Sequence, residues 1–249
     1  MAPPKAIATI RSHDAYNGRT LYINEAGGEP EMLIPPDATF SLLPTSDREG
    51  RDVISIVGAS GGGKSYLAKG LAEEYKRMWP ERRVYVISAL SKDSTLDSMR
   101  DDRGRPFLKR LNVASFVEEA LERDDVTRDF KHSLVIADDC EALGGAERAA
   151  VNSILTALLT LGRHSATSVI VCSHLPARGK ETALLLSEST MFVLFPNSLG
   201  NHVLRYLCER HIGLNPKETA ALKAIRSRWV ALSRGHPRYL IASNEARVL

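Results

Sequence analysis

The chain has no apolar stretch approaching the ~20 residues that cross a bilayer, so no membrane-spanning helix is expected. It has three cysteines, Cys140, Cys172 and Cys208. Their odd number argues against a disulfide framework, and their spacing fits no metal site. A reducing interior is the simplest setting for such usage. The opening MAPPKAIATIRSHD lacks the apolar core of a secretion signal, so none is expected. There is no internal repeat and no low-complexity tract. No interleaving of aromatic and basic residues suggests stacking on single-stranded nucleic acid. Charge is nearly balanced at +3, which permits a polyanionic partner without requiring one. The content of 43% hydrophobic residues in 249 is enough to bury a sizeable core without metal or disulfide staples.

Two patterns divide the chain. Residues 1–50 carry short strand candidates at 6–11, 20–24, 31–34 and Thr39–Leu42, punctuated by Gly27-Gly28 and Pro35-Pro36. They predict a small β elaboration laid against residues 51–249. From Val53 onward, apolar strands alternate with helices. Strands are expected at Val53–Val57, 84–88, 134–137, Ser168–Ser173 and 191–195. A helix after the first strand carries Leu67, Leu71, Tyr75 and Met78 on one stripe and ends at Pro80. Ser115 and Glu118 form a capping-box pattern for a short helix, and 146–161 forms a long one closed by Gly162. Two more helices, 201–211 and 216–226, follow, the second with Asn215 at its cap and Pro216 in its first turn. A hairpin of 229–232 and Tyr239–Ala242 closes the chain. Continuous apolar strands alternating with helices predict an α/β fold, a mostly parallel sheet covered on both faces.

The most informative stretch is Gly58-Ala59-Ser60-Gly61-Gly62-Gly63-Lys64-Ser65, directly after the strand Val53–Val57. It fits the phosphate-binding pattern of two spaced glycines followed by Lys and Ser/Thr. Glycines let backbone N–H groups turn inward on a phosphate. The helix that starts near Lys64 adds its positive end. Lys64 is placed to reach the β- and γ-phosphates of ATP, and the Ser65 hydroxyl to hold Mg²⁺. Nucleotide contacts are expected from Gly58 through Ser65 and from Tyr66 next to it. The buried strand before Asp138-Asp139 puts both carboxylates at the carboxyl edge of the sheet, where open α/β sheets bind ligands. Asp138 is the expected Mg²⁺ partner, and Asp139 the group that orients the attacking water, with Glu141 as fallback base.

The strand–GASGGGKS–helix unit, VIADDC and GRHSATSVIVCSHLP together resemble the DNA-packaging ATPases of large DNA viruses, the poxvirus-type family within the FtsK–HerA class. The resemblance spans residues 39–196. It implies a RecA-like α/β core, an ATP- and Mg²⁺-dependent motor, a homomeric ring of five or six subunits around double-stranded DNA, and capsid proteins as further partners. It also implies a place in the host cytoplasm at sites of virus assembly, or in the virion. At the end of the fourth core strand relatives carry a polar residue, often Gln, that senses the γ-phosphate. Here Ser173 stands there, with His174 next to it as the alternative sensor. Arg163, in Gly162-Arg163-His164, matches the region from which an arginine reaches a neighbouring subunit's nucleotide, and Arg178 is a second candidate. Residue for residue, Arg163 equally suits the C-terminal end of the preceding helix. Lys92, Arg100, Arg103 and Arg105 lie where ring ATPases project pore loops, but Asp93, Asp97, Asp101 and Asp102 offset them, and a solvated loop is expected. Two other functions keep the same loop: a nucleotide-gated assembly module, and a small-molecule phosphotransferase.

Overall fold

The structure is a computed structural model that describes residues 4–24, 31–119, 122–174 and 179–249. In chain order the strands and helices are β1 (Lys5–Arg11), β2 (Thr20–Ile23), β3 (Glu31–Leu33), β4 (Thr39–Leu42), β5 (Val53–Val57), α1 (Lys64–Met78), β6 (Arg83–Ser88), β7 (Leu108–Arg110), α2 (Val113–Glu119) and α3 (Arg123–Asp129). Then come β8 (Ser133–Asp138), α4 (Gly145–Leu161), β9 (Ser168–Ser173), α5 (Gly179–Glu188), β10 (Met191–Leu194), α6 (Asn201–Arg205), α7 (Pro216–Ala224), β11 (Val230–Ser233), β12 (Tyr239–Ala242) and β13 (Glu245–Val248).

Ten strands form one sheet in the order β3-β13-β12-β11-β10-β5-β9-β8-β6-β7. The run from β10 to β7 is parallel. The run from β10 to β3 is antiparallel. Every residue of β5, β8 and β10 is buried, as strands covered on both faces must be. One core, beneath α1, joins Leu71 and Tyr75 to Ile56, Ile136 and Phe40. On the other side of the sheet Val151, Ile154 and Leu158 of α4 pack on Val135 and Val169. The decisive feature is that β9 lies between β5 and β8, so the strand feeding the glycine loop and the strand ending in aspartates are not neighbours.

The N-terminal segment divides in two. Strands β2-β1-β4 form a separate antiparallel sheet, whereas β3 joins the far edge of the large sheet through β13. The small sheet is tied to α1 through Glu74, which is almost fully buried and accepts from Arg11 at 3.1 Å and Arg77 at 2.7 Å.

Local signals explain most element ends. Asn215 accepts from the N–H groups of Lys217 and Glu218 at 2.9 and 3.0 Å, and Glu218 accepts from Asn215 N–H at 2.7 Å. That is a complete capping box with Pro216 in the first turn. The short helix α2 starts earlier than its Ser115 pattern predicts. Asn112 accepts from Ala114 N–H at 3.1 Å, while the Ser115 hydroxyl donates to the Asn112 carbonyl. The expected helix over 201–211 is a single α turn that widens into a π-helix at Tyr206–Ile212. The elements β7, α3, α5 and β13 add to the predicted pattern.

The C-terminus of α4 is capped from a distance. Arg51 donates to the carbonyls of Leu158 and Leu159 at 2.7 and 2.8 Å and pairs with Glu188 at 3.3 Å. A Cβ at Gly162 would lie 2.3 Å from the Leu158 oxygen and 2.8 Å from the guanidinium, so glycine is required there. The helix-capping role open to Arg163 is therefore taken by Arg51. Replacing Arg51 with Met strands two carbonyls and should cost about 2 kcal/mol of stability in urea denaturation, with nucleotide affinity unchanged.

Candidate functional site

The site lies at the carboxyl edge of the parallel strands. The loop from Gly58 to Gly63 joins β5 to α1. Gly61 and Gly63 have φ of 71° and 107°, values open to glycine at little cost. Helix α1 has no side-chain cap and no acidic residue in its first turn. Its free N–H groups and positive end are thus left for an external anion.

Lys64 is 95% buried, and its ammonium donates to the carbonyls of Gly58 and Ala59, both at 3.1 Å, and to His174 Nδ1 at 3.0 Å. Because Nδ1 accepts here, Nε2 carries the proton and donates to Asp139 Oδ1 at 2.8 Å. Asp139 adopts a left-handed conformation, φ 52°, directly after β8. That turns its carboxylate toward β9 and His174. Glu141 Oε2 accepts from the His174 N–H at 3.3 Å.

Ser65 closes the gap across β9. Its hydroxyl donates to Asp138 Oδ2 at 3.2 Å. The second Asp138 oxygen is buried and has no hydrogen-bond partner among the described residues. Burial, and next the charge of Asp139, raise the Asp138 pKa above the ordinary 3.8. No group of three or more His, Cys, Asp or Glu side chains among the described residues could hold a metal. One carboxylate with a free oxygen beside one hydroxyl instead fits Mg²⁺, which is held by one or two protein groups plus phosphate oxygens.

Ser173, at the end of β9, pairs in register with Val57 and has a buried hydroxyl without a partner among the described residues. Its carbonyl accepts from Gly58 N–H at 3.3 Å. Tyr66 is 73% exposed beside the loop. The structure thus brings together the loop residues Gly58–Ser65, Tyr66, Asp138, Asp139 and Ser173, and adds His174 at their centre. Histidine after β9 was visible in the sequence, but its bridging position needed the register of β9 against β5 and β8.

Arg163 does not join this site within its own chain. It follows α4 and precedes β9, at the opposite edge of the sheet, exposed and close enough to Arg51 to depress its pKa after burial has done so. Six residues of β9, at about 3.3 Å each, separate the two edges by about 20 Å. Arg178 lies outside the described residues. In the tract after β6, Arg105 pairs with Asp101 at 2.7 Å and Asp102 with Arg77 at 3.2 Å. Arg100 donates to the carbonyls of Asp97 and Met99. Lys92 and Arg103 remain exposed without an ion-pair partner among the described residues. The three cysteines are free; burial first of all pushes the Cys140 and Cys208 thiols up to about 12. No described helix is long and apolar enough to cross a membrane.

Comparison with known proteins agrees with this architecture. No family model matches the chain. Protein V3 of the Sputnik virophage is 30% identical over 239 residues, which cover 94% of this chain and 91% of V3. The genome packaging NTPase B204 of Sulfolobus turreted icosahedral virus 2, solved with sulfate, matches with a TM-score of 0.50 at 12% identity, over 80% of this chain and 97% of B204. The cytoplasmic domain of the type VII secretion ATPase EccC of Thermomonospora curvata matches with a TM-score of 0.54 at 15% identity, over 96% of this chain and 28% of that one. Sheet order, glycine loop and acidic strand define the fold of a P-loop NTPase, the fold expected from the resemblance to the FtsK–HerA class. At the identity and coverage it shares with V3, the chain belongs to that virophage protein's family.

Asp138 carries a testable cost. Between 3.8 and its raised value, the unfolded chain releases the proton while the folded chain keeps it. Stability therefore falls as pH rises through that window and stays lower above it. Asp138→Asn should raise the Tm of the metal-free protein at neutral pH, by about 2–4 °C per kcal/mol relieved, as read by calorimetry.

Proposed function

We propose that the chain is an ATP-hydrolysing motor subunit that moves double-stranded DNA, packaging a viral genome into its capsid. The observation that carries this is the contact of Ser65 with Asp138 beside an uncapped, glycine-led helix start. The triphosphate tail lies along the loop, on the N–H groups at the start of α1. Ser65 and Asp138 would hold Mg²⁺ beside the phosphates, where the ion would neutralise charge.

Lys64 leaves its two carbonyl partners for the β- and γ-phosphates. His174 then loses its donor at Nδ1, takes up a proton there from solvent, and as imidazolium donates from Nδ1 to the γ-phosphate while Asp139 accepts from Nε2–H. His174 thus reports the γ-phosphate in place of the glutamine common among packaging ATPases, with the Ser173 hydroxyl beside it. Asp139, assisted by His174, orients the attacking water. Arg163 acts in trans: its distance from its own loop and its lack of an ion-pair partner among the described residues suit a group that completes the site of a neighbour. That requires a homomeric ring, of five or six copies, around DNA gripped by phosphate contacts independent of sequence. Lys92 and Arg103 are the candidate contacts on the tract after β6. Capsid proteins are further partners, and the host cytoplasm or the virion is the place of work. Kinship with virophage V3 supports the viral setting.

Two experiments test this. Steady-state ATP hydrolysis by the assembled protein should rise with double-stranded DNA, and Lys64→Ala should reduce turnover to background without loss of fold. Hydrolysis indifferent to DNA, from a monomer by light scattering, would overturn the motor. Separately, Arg163→Ala and Asp139→Asn subunits should each be inactive alone and regain partial activity when mixed. Absence of rescue at every ratio refutes catalysis in trans.

A further inference from the structure

The phosphate loop has two unlike flanks. On the β9 side stand Asp138, Asp139 and His174, all polar. On the β10 side stands the segment after β10, where the Ser198 hydroxyl accepts from Ala59 N–H at 3.2 Å and Phe195 lies 3.0 Å from where a Gly58 Cβ would be. A triphosphate whose terminal phosphate faces the acids must leave the loop on this other flank.

A cavity of about 350 Å³ opens there, directly against the loop. Its walls include Tyr66 and Gly70 of α1, Phe195, Arg228, Trp229 and, from the small N-terminal sheet, Phe40. The volume falls in the range of small-molecule sites, and the chemistry is that of a flat aromatic ligand: apolar ring faces with a cation at the rim. Arg228 is exposed and has no ion-pair partner among the described residues. Gly70 gives an independent sign. A glycine inside a helix weakens it, yet a Cβ at Gly70 would meet nothing within 4 Å. The protein's own packing does not need the space, and it is open to an incoming group.

We propose that this cavity receives the base and ribose of the bound nucleoside triphosphate, and that the small N-terminal sheet, anchored by Arg11 on Glu74, forms its outer wall. The proposal rests on the phosphate-loop assignment above. It gives residues 1–50 a role in nucleotide binding, and it predicts recognition by stacking, a mode tolerant of base identity.

The test separates the two ends of the ligand. Calorimetric titrations on the full-length chain compare the β,γ-methylene analogue of ATP with inorganic tripolyphosphate, both with Mg²⁺. The variants are Gly70→Leu, which fills the cavity from a helical position, and Arg228→Ala, which alters an exposed side chain. Wild type should bind the ATP analogue tighter than tripolyphosphate. Each variant should weaken the analogue about tenfold and leave tripolyphosphate within about twofold. If neither variant changes the analogue, or both ligands weaken equally, the cavity is not the nucleoside site and the phosphate loop stands. If wild type binds neither ligand, the phosphate-loop assignment fails and this proposal falls with it.

Discussion

The hydrogen bond from Ser65 to Asp138 is the constraint on which the site depends. It joins the first turn of α1 to the end of β8, two elements whose strands are kept apart by β9. The bond can form only if β5, β9 and β8 end at the same level, so that the loop arches over the tip of β9. The parallel register secures that level: Val57 lies opposite Ser173, and Cys172 opposite Asp138. The same register brings His174 under the Lys64 ammonium and beside Asp139. One alignment of three strands thus brings this chain's own Lys64, Ser65, Asp138, Asp139 and His174 together at the loop.

The cost of this arrangement is visible in its polar groups. Asp138 is nearly inaccessible, keeps one oxygen unpartnered among the described residues and has its carboxylate disfavoured by burial. Ser173 holds a buried hydroxyl without a partner among the described residues, and Asp139 sits in a left-handed conformation. Buried polar groups are ordinarily satisfied, and concentrations of exceptions mark sites where something else completes them. Lys64 shows the complementary state, with its charge resting on two loop carbonyls and an imidazole that a phosphate would replace. Across the loop the character changes to aromatic rings and Arg228, which has no ion pair among the described residues, so the two flanks differ in the way the proposed nucleotide placement requires.

Arg163 and Arg51 illustrate how position overrules residue type. Either arginine could cap α4, and adjacency in sequence favours Arg163. The sheet brings Arg51, just before β5, against the helix end, where it takes both carbonyls. Arg163 is left exposed on the edge away from its own loop. A role there needs a second subunit, which no single chain can display.

Much of the molecule was legible in the residues alone. The buried strands announced themselves as unbroken apolar runs, because a strand covered on both faces has no polar side. The glycine loop, Lys64, Ser65 and the aspartate pair were legible because phosphate chemistry demands those residue types at fixed spacing. So was the Asn215 cap, whose partners lie within one turn. The short strands β7 and β13 were not, since their three or four residues carry no clear alternation and are held by neighbours distant in sequence. The transfer of β3 to the far edge of the large sheet, the bridging place of His174 and the cavity beneath Phe40 arose only on folding. Composition and local spacing therefore determined that the chain is an α/β protein built around a phosphate loop. The order of strands in the sheet decided which side chains face that loop, because contacts across β9 and β10 join residues more than a hundred positions apart.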